Sequence, residues 1–83
     1  MNEYNTYKFA QKRVEDLFDA MNKNTKWYSD RYPHLKDLII SQDVPSLLKI
    51  PEGERFLKVQ SSIVELRNYW IDKRKQLKQR NNE

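Results

Sequence analysis

Residues 54–80 read ERFLKVQSSIVELRNYWIDKRKQLKQR, and neither glycine nor proline interrupts them. Apolar side chains recur along this stretch at intervals of three and four residues, a spacing that stacks them on one face of an α-helix. The members of this first stripe are Phe56, Val59, Ile63, Leu66, Trp70 and Leu77. Pro51 suits the first turn of a helix. The pattern therefore predicts one long helix over about 52–80, around which the rest of the chain is organised.

A second apolar series runs along the same predicted helix. Its members are spaced by seven residues and lie well round the helix from the first stripe: Leu57, Val64 and Ile71. Between the two stripes lies a polar seam, also spaced by seven: Gln60, Arg67 and Arg74. The apolar arc covers roughly half the circumference, whereas packing on one neighbour needs only about 100°. We therefore expect two neighbours, the second being another segment of this chain or a second subunit.

Arg67 in the middle of the seam separates two interpretations. In the first, Arg67 is covered inside the fold and pairs with a carboxylate, for example from the first helix. In the second, the side of Leu57, Val64 and Ile71 is open, and a partner covers it. A buried arginine without a compensating charge is too costly to keep. The position of its guanidinium should therefore show which face of the helix belongs to the core.

The first half of the chain carries another helical pattern, from about residue 6 to residue 30. Asn5 or Thr6 is able to cap its amino end. Its apolar stripe consists of Tyr7, Ala10, Val14, Leu17, Phe18 and Met21, and Tyr28 and Tyr32 continue it. The run NKNT at 22–25 disfavours a helix, because Asn and Thr compete for backbone hydrogen bonds. The helix is expected to run on to about Asp30, the interpretation we favour, or to end near Asn24.

Prolines divide residues 32–51 into two short pieces. Pro33 pushes the residue before it out of helical geometry and is expected to open a short helix, and Pro45 to open a single turn. The predicted inward side chains are Leu35, Leu38 and Ile39 in the first piece and Leu47 and Leu48 in the second. No stretch shows the period-two alternation of a strand. The predicted fold class is all-α: a small helical bundle with two longer antiparallel helices, about 6–30 and 52–80, and one or two short helices between them.

The length of 83 residues predicts a single helical domain, 1–83, with frayed residues 1–4 and a basic carboxyl-terminal end at 73–83. A chain this short buries only about 60–65% of the surface that its unfolded form exposes. It contains no cysteine, so no disulfide compensates for the small core. Formation of a homodimer is a common remedy.

Charge and hydropathy limit the kinds of partner and the cellular location that we expect for this chain. The formal net charge is +4 and the pI about 9.4, which permits binding to polyanions. No segment approaches the roughly 20 apolar residues of a membrane helix, and the amino terminus lacks the plan of a secretory signal. With no cysteine either, the sequence predicts a cytoplasmic protein with no membrane partner.

The residues that carry catalysis or metal binding are sparse. His34 is the one histidine and is expected on the surface, and without cysteine no structural zinc site can be assembled. Ser61 and Ser62 have no histidine near them in sequence to complete a triad. Gly53 is the one glycine, so a phosphate-binding loop is absent. We expect a protein that is not an enzyme, with no cofactor, no metal and no small-molecule substrate.

Aromatic residues mark a candidate interface. Trp27 and Tyr69 lie off the predicted core stripes. Lys26 and Arg31 flank the aromatic group of Trp27, Tyr28 and Tyr32, and aromatic residues beside cations suit protein interfaces. The same residues also suit closure of the core at the hairpin end, or stacking on single-stranded nucleic acid. With the second stripe and its seam, the predicted partner-binding residues are Leu57, Val64, Ile71, Arg67, Trp27, Tyr28 and Tyr69.

The carboxyl end carries the densest positive charge. Five cations fall within eight residues with no acid among them: Lys73, Arg74, Lys75, Lys78 and Arg80. They match the negative end of the helix dipole, so one interpretation is a solubilising end. The other is a nucleic-acid contact. Because the charges spread round the helix, they would follow phosphates without reading bases.

Two functions remain for the chain. The first is a small, non-enzymatic, protein-binding regulator or adaptor that acts through its helix faces on another protein or on itself as a homodimer. Short, cysteine-free helical chains are common among phage and mobile-element proteins, so such an origin is part of this interpretation. The alternative is a nucleic-acid-binding protein that contacts phosphates non-specifically through the basic carboxyl-terminal helix. The alternative lacks the short glycine-containing turn of a helix-turn-helix.

Overall fold

A computed structural model of the chain describes residues 6–81, with side chains as far as Lys78. Four helices account for nearly all of this part of the chain: α1 (Tyr7–Arg31), α2 (Pro33–Ile40), α3 (Val44–Leu48) and α4 (Pro51–Asn81). The two long helices, α1 and α4, pack against each other in antiparallel order, and the two short helices join them. The predicted all-α class and helix arrangement are confirmed. The predicted frayed residues 1–4 lie outside the described residues.

Helix α1 runs through the segment that the sequence marked as a weak point. Thr6 caps its amino end, since its hydroxyl accepts a hydrogen bond from the backbone N–H of Phe9 at 3.1 Å. Helix α1 continues to Arg31, so the alternative end near Asn24 is wrong. The reason lies in tertiary structure: the Asn24 side chain donates to Gln60 of α4 at 3.0 Å and does not compete for its own backbone.

The prolines and two polar side chains set the short helices. Tyr32 before Pro33 lies outside helical geometry, with φ −126° and ψ 81°, and α2 begins at the proline. Helix α2 ends at Ile40, and Gln42 in the turn that follows has a φ of 58°. Asp43 then caps α3, accepting hydrogen bonds from the backbone N–H of Ser46 at 3.3 Å and from its hydroxyl at 2.8 Å. The Asp43–Ser46 cap holds α3 in place at this end of the hairpin.

The core is concentrated where α2 and α3 close the hairpin, which we call the closed end. Its buried side chains are Tyr28, Leu35, Ile39, Leu47 and Phe56. The rings of Tyr28 and Phe56 meet edge to face, with centroids 5.5 Å apart. From there a narrower line of buried residues follows the contact between α1 and α4 towards the opposite end, which we call the open end. It consists of Ala10, Leu17 and Leu77.

Several residues of the predicted core stripes lie on the surface instead. Phe18 is 52% exposed and Leu48 54%, so their predicted inward positions are wrong. Val59 and Leu66, from the first stripe of α4, are 42% and 49% exposed. The physical reason is that the buried face of α4 is centred on the polar seam and not on either apolar stripe, which moves the outer members of both stripes to the edges.

Candidate helix-edge interface

The polar seam of α4 lies in the contact with α1. Apolar and polar residues alternate along it at intervals of four and three: Phe56, Gln60, Ile63, Arg67, Trp70, Arg74 and Leu77. This is the spacing with which paired antiparallel helices interlock. Gln60 accepts the hydrogen bond from Asn24, and Phe56 contacts Tyr28, so both kinds of position face α1. Helix α4 therefore meets its partner helix through alternating apolar and polar side chains.

Arg67 is covered between the helices, but without the carboxylate that the first interpretation required. Its Nε atom is buried, which places the side chain between the helices, and no hydrogen-bond acceptor reaches that atom. Within the described residues no carboxylate lies at ion-pair distance from Arg67, so the predicted pairing with an acid of the first helix is wrong. Asp16 and Asp19 point away from the contact and pair with Lys12 and Lys23. A buried donor without a partner costs about 1–3 kcal/mol of stability.

An apolar edge runs along one side of the helix pair, and we call it the Phe18 edge. It consists of Phe18 and Thr25 of α1, Val44 and Leu48 of α3, and Leu57, Val64 and Ile71 of α4. Leu57 lies in two clefts of this edge, one shared with Thr25 and Val44 and one shared with Leu48. Val64 and Ile71 follow Leu57 at intervals of seven, and Phe18 precedes Thr25 by seven. Three helices thus contribute apolar side chains to this side of the pair.

The opposite side of the pair carries the Trp27 edge. It consists of Phe9, Arg13 and Trp27 of α1 and Val59, Leu66 and Trp70 of α4. Phe9 meets Trp70 edge to face at 5.5 Å, and the Arg13 guanidinium lies over Trp70 at 5.9 Å. Near the closed end, Arg31 covers the ring of Trp27 at 5.4 Å. Cations therefore already occupy faces of both tryptophans on this edge.

The predicted aromatic residues fall in different places. Tyr28 is 8% exposed and belongs to the core, where its ring contacts Trp27 at 4.8 Å. Trp27 itself is half exposed on the Trp27 edge. Tyr69 is 57% exposed and touches Trp70, about 20 Å further along α4 than the level of Tyr28, at 1.5 Å per residue. The structure does not bring Trp27 and Tyr69 together into one patch.

The structure also places the other predicted partner-binding residues. Leu57, Val64 and Ile71 are half-buried on the Phe18 edge, where they are accessible from one side. Sequence reasoning missed Phe18 and Leu48, which it assigned to the core. The four-and-three alternation centred on Arg67 locates the middle of the buried face of α4 alone, so the sequence held no comparable signal for Phe18 in α1 or Leu48 in α3.

The predicted cations gather at the open end. Lys75 and Lys78 are exposed, and Lys73 and Arg74 are half-buried. The side chain of Arg80 lies outside the described residues. A cleft of about 360 Å³ is lined by Arg74, Lys75 and Lys78 together with Tyr7 and Gln11 of α1. Sequence reasoning missed Tyr7 and Gln11 as possible ligand contacts, since only the antiparallel packing brings them beside the carboxyl-terminal cations.

The described residues show no arrangement typical of metal binding or of a membrane span. No group of three potential metal ligands occurs among them. His34 is exposed, with Nε2 at 3.8 Å from a carboxylate oxygen of Glu52. None of the described helices combines the length and the apolar character that crossing a membrane requires. No protein family, curated protein or solved structure shows a significant match to the chain.

Proposed function

We propose that this chain is a non-enzymatic protein-binding module, a regulator or adaptor that docks its Phe18 edge onto another protein or onto a second copy of itself. The supporting observation is the edge itself, where large apolar side chains stay exposed beside half-buried ones over three helices. Contiguous apolar surface of this kind marks interaction sites in soluble proteins. The Trp27 edge is the weaker candidate because arginines already cover its rings.

The amount of exposed surface supports the same proposal. The chain forms a rod of 51 × 20 × 17 Å with an accessible surface of 6341 Å². A compact monomer of 10.2 kDa would expose roughly 5,300 Å². The excess is of the same order as the roughly 800 Å² that each partner buries in a standard protein interface. A docked partner would therefore bring the burial to the level of a compact domain.

The charges beside the Phe18 edge favour a second copy in antiparallel order. Glu54 lines the cleft of Leu48 and Leu57 near the closed end. Lys75 follows Ile71 by one turn near the open end and has no ion pair among the described residues. An antiparallel copy would bring Glu54 of one chain towards Lys75 of the other, while Val64 meets its own equivalent. A cytoplasmic setting remains a prediction within this proposal.

Substitution of exposed edge residues tests the proposal without emptying the core. The variant combines Phe18→Gln and Leu48→Gln. Its matched control combines Ile40→Gln and Tyr69→Gln, which remove exposed apolar side chains away from the Phe18 edge. Light scattering over a hundredfold concentration range measures the mass. A second experiment tests other partners. The wild-type chain is immobilised, proteins are captured on it from a lysate of the cells that encode it, and free wild type or variant is added as competitor.

The expected result is loss of dimer mass, or loss of competition, in the edge variant alone, with unchanged helicity by circular dichroism. If the wild type stays at 10.2 kDa throughout and both variants compete as well as it does for every captured protein, the proposal is wrong.

A further inference from the structure

We infer that the open end is a binding site for the phosphate backbone of nucleic acid, built between α1 and α4 where the Phe18 edge ends at Ile71. Lys75 belongs both to this site and to the proposed contact between two copies. The cleft at this end has a volume of about 360 Å³ and is lined by Tyr7, Gln11, Arg74, Lys75 and Lys78. Every one of these side chains carries a hydrogen-bond donor, three carry a positive charge, and no acid is among them. Donors of this kind converge on oxyanions, and charge-assisted bonds to phosphate are the strongest that they make.

The cations of the cleft are not neutralised within the described part of the chain. Elsewhere, four lysines have acids one helical turn away and pair with them: Lys12, Lys23, Lys26 and Lys58. One turn before Arg74 and Lys75 stand Trp70 and Ile71 instead. The remaining acid on this part of α4, Asp72, makes no ion pair with Lys75. Charge at this end is therefore available to a ligand.

Packing of the two long helices makes the site more than a charged helix terminus. Arg74 continues the seam of Gln60 and Arg67 and is half-buried, so its position is fixed by the contact with α1. Tyr7 and Gln11 lie more than sixty residues earlier in the chain, and the antiparallel arrangement sets them on the other wall. A dipole-matched, solubilising end would need neither residue.

A neighbouring cleft favours an extended polyanion over a single phosphate group. It has a volume of about 310 Å³, shares Tyr7 and Gln11 with the first cleft, and adds Lys8, Lys12 and Glu15. Lys12 is held by Asp16 at 2.7 Å, and this hydrogen bond with its charge raises the pKa of Lys12 above its usual value. Lys8 makes no ion pair with any residue that the structure describes. A nucleic-acid strand that extends from the first cleft past Tyr7 would therefore meet Lys8 as a further cation.

The chemistry of the site predicts binding without base recognition. The flexible lysines and the one guanidinium of the cleft follow phosphates, and phosphate contacts carry no sequence information directly. Affinity should therefore be similar for different sequences and fall steeply with salt, because each phosphate contact releases counterions.

Fluorescence anisotropy of a labelled 20-base DNA of mixed sequence, single-stranded and as a duplex, measures this binding at several salt concentrations. The cleft variant is Arg74→Gln with Lys75→Gln and Lys78→Gln. The control is Lys36→Gln with Lys49→Gln and Arg55→Gln, three exposed, unpaired cations at the closed end. Both variants lower the formal net charge from +4 to +1. A third variant, Tyr7→Phe with Gln11→Ala, alters the cleft at constant charge.

The cleft variant should bind at least tenfold more weakly at low salt, with the logarithmic salt slope reduced by about 2–3, one per lost phosphate contact. The control should stay within a few fold of wild type, and the third variant should lose several fold. Equal losses of DNA affinity in the cleft variant and in the control would show that binding depends only on net charge, and would overturn the inference. So would the absence of DNA binding by the wild type, or binding to anionic phosphatidylserine vesicles but not to DNA. Circular dichroism of each variant confirms that its helices are intact.

Discussion

Asn24 and Gln60 are joined across the contact of the two long helices by a hydrogen bond of 3.0 Å from Nδ2 to Oε1. Both amides occupy positions at which α1 and α4 face each other, where an apolar pair would bury more surface. A polar pair among apolar positions fixes the register of two helices, because any slip leaves both amides without partners. One level nearer the closed end, Tyr28 meets Phe56 in the same register.

The first prediction concerns the energy of this pair. Asn24→Leu or Gln60→Leu alone should lower the free energy of unfolding by about 1 kcal/mol, because the remaining half-buried amide loses its partner. The double variant should recover most of that loss, giving a coupling energy of about 1 kcal/mol. Urea denaturation followed by circular dichroism, at a fixed protein concentration, measures all four proteins. Additive single effects would show that the two side chains do not interact in solution.

Sequence reasoning located the helices better than it located their faces. Pro33, Pro45 and Pro51 mark helix starts by local geometry alone, and these effects do not depend on the rest of the fold. The inward direction of a wide apolar arc depends on the partner helix, so Phe18 and Leu48 were misplaced. The continuation of α1 past Asn24 depended on Gln60, 36 residues away, which no local propensity contains.

The two candidate surfaces were likewise predicted only in part. The seven-residue spacing of Leu57, Val64 and Ile71 identified part of the Phe18 edge, and the density of charge identified one wall of the cleft at the open end. The missing halves come from α1 and α3. They could not be predicted because two antiparallel helices can pair at several rotations with nearly the same apolar burial, and the choice between those rotations was made by polar contacts.

Arg67 carries the second prediction. Its Nε atom is buried between the helices without an acceptor, so Arg67→Met should remove an unsatisfied donor while keeping a long apolar stem. Replacement of a buried donor that lacks a partner by an apolar side chain is often stabilising, here by about 1–2 kcal/mol. The exposed Arg55→Met on the same helix should change stability by less than about 0.5 kcal/mol. A clear loss of stability in Arg67→Met would mean that the guanidinium has a partner in solution.

Gly53 provides the third prediction. A methyl group at this position would overlap with the carbonyl oxygen of Leu47 and lie 3.0 Å from its Cα. Alanine normally favours a helix by about 1 kcal/mol over glycine, but here the backbone of α3 would have to move away from α4. Gly53→Ala should therefore destabilise the fold by about 1–3 kcal/mol.

Ser61→Ala, at an exposed position of the same helix, is the control for Gly53→Ala and should be neutral or slightly stabilising. Thermal unfolding of the two variants side by side gives the comparison. A rise in melting temperature for both would show that α3 does not approach α4 as closely as the structure places it.

Gln42 carries the last prediction, which concerns the turn between α2 and α3. Its φ of 58° lies in the left-handed region, and its N–H donates to the Ile39 carbonyl at 3.2 Å while the next N–H, of Asp43, reaches Leu38 at 2.9 Å. A residue with a side chain pays roughly 1–2 kcal/mol for this conformation, and glycine pays almost nothing. Part of that gain is offset by the larger conformational entropy of glycine in the unfolded chain. Gln42→Gly should therefore stabilise the protein by about 0.5–1 kcal/mol.

Gln76→Gly, which makes the same chemical change at an exposed position inside α4, should destabilise the protein by about 1 kcal/mol. Urea midpoints that shift in opposite directions would support the turn geometry, and midpoints that fall together would contradict it.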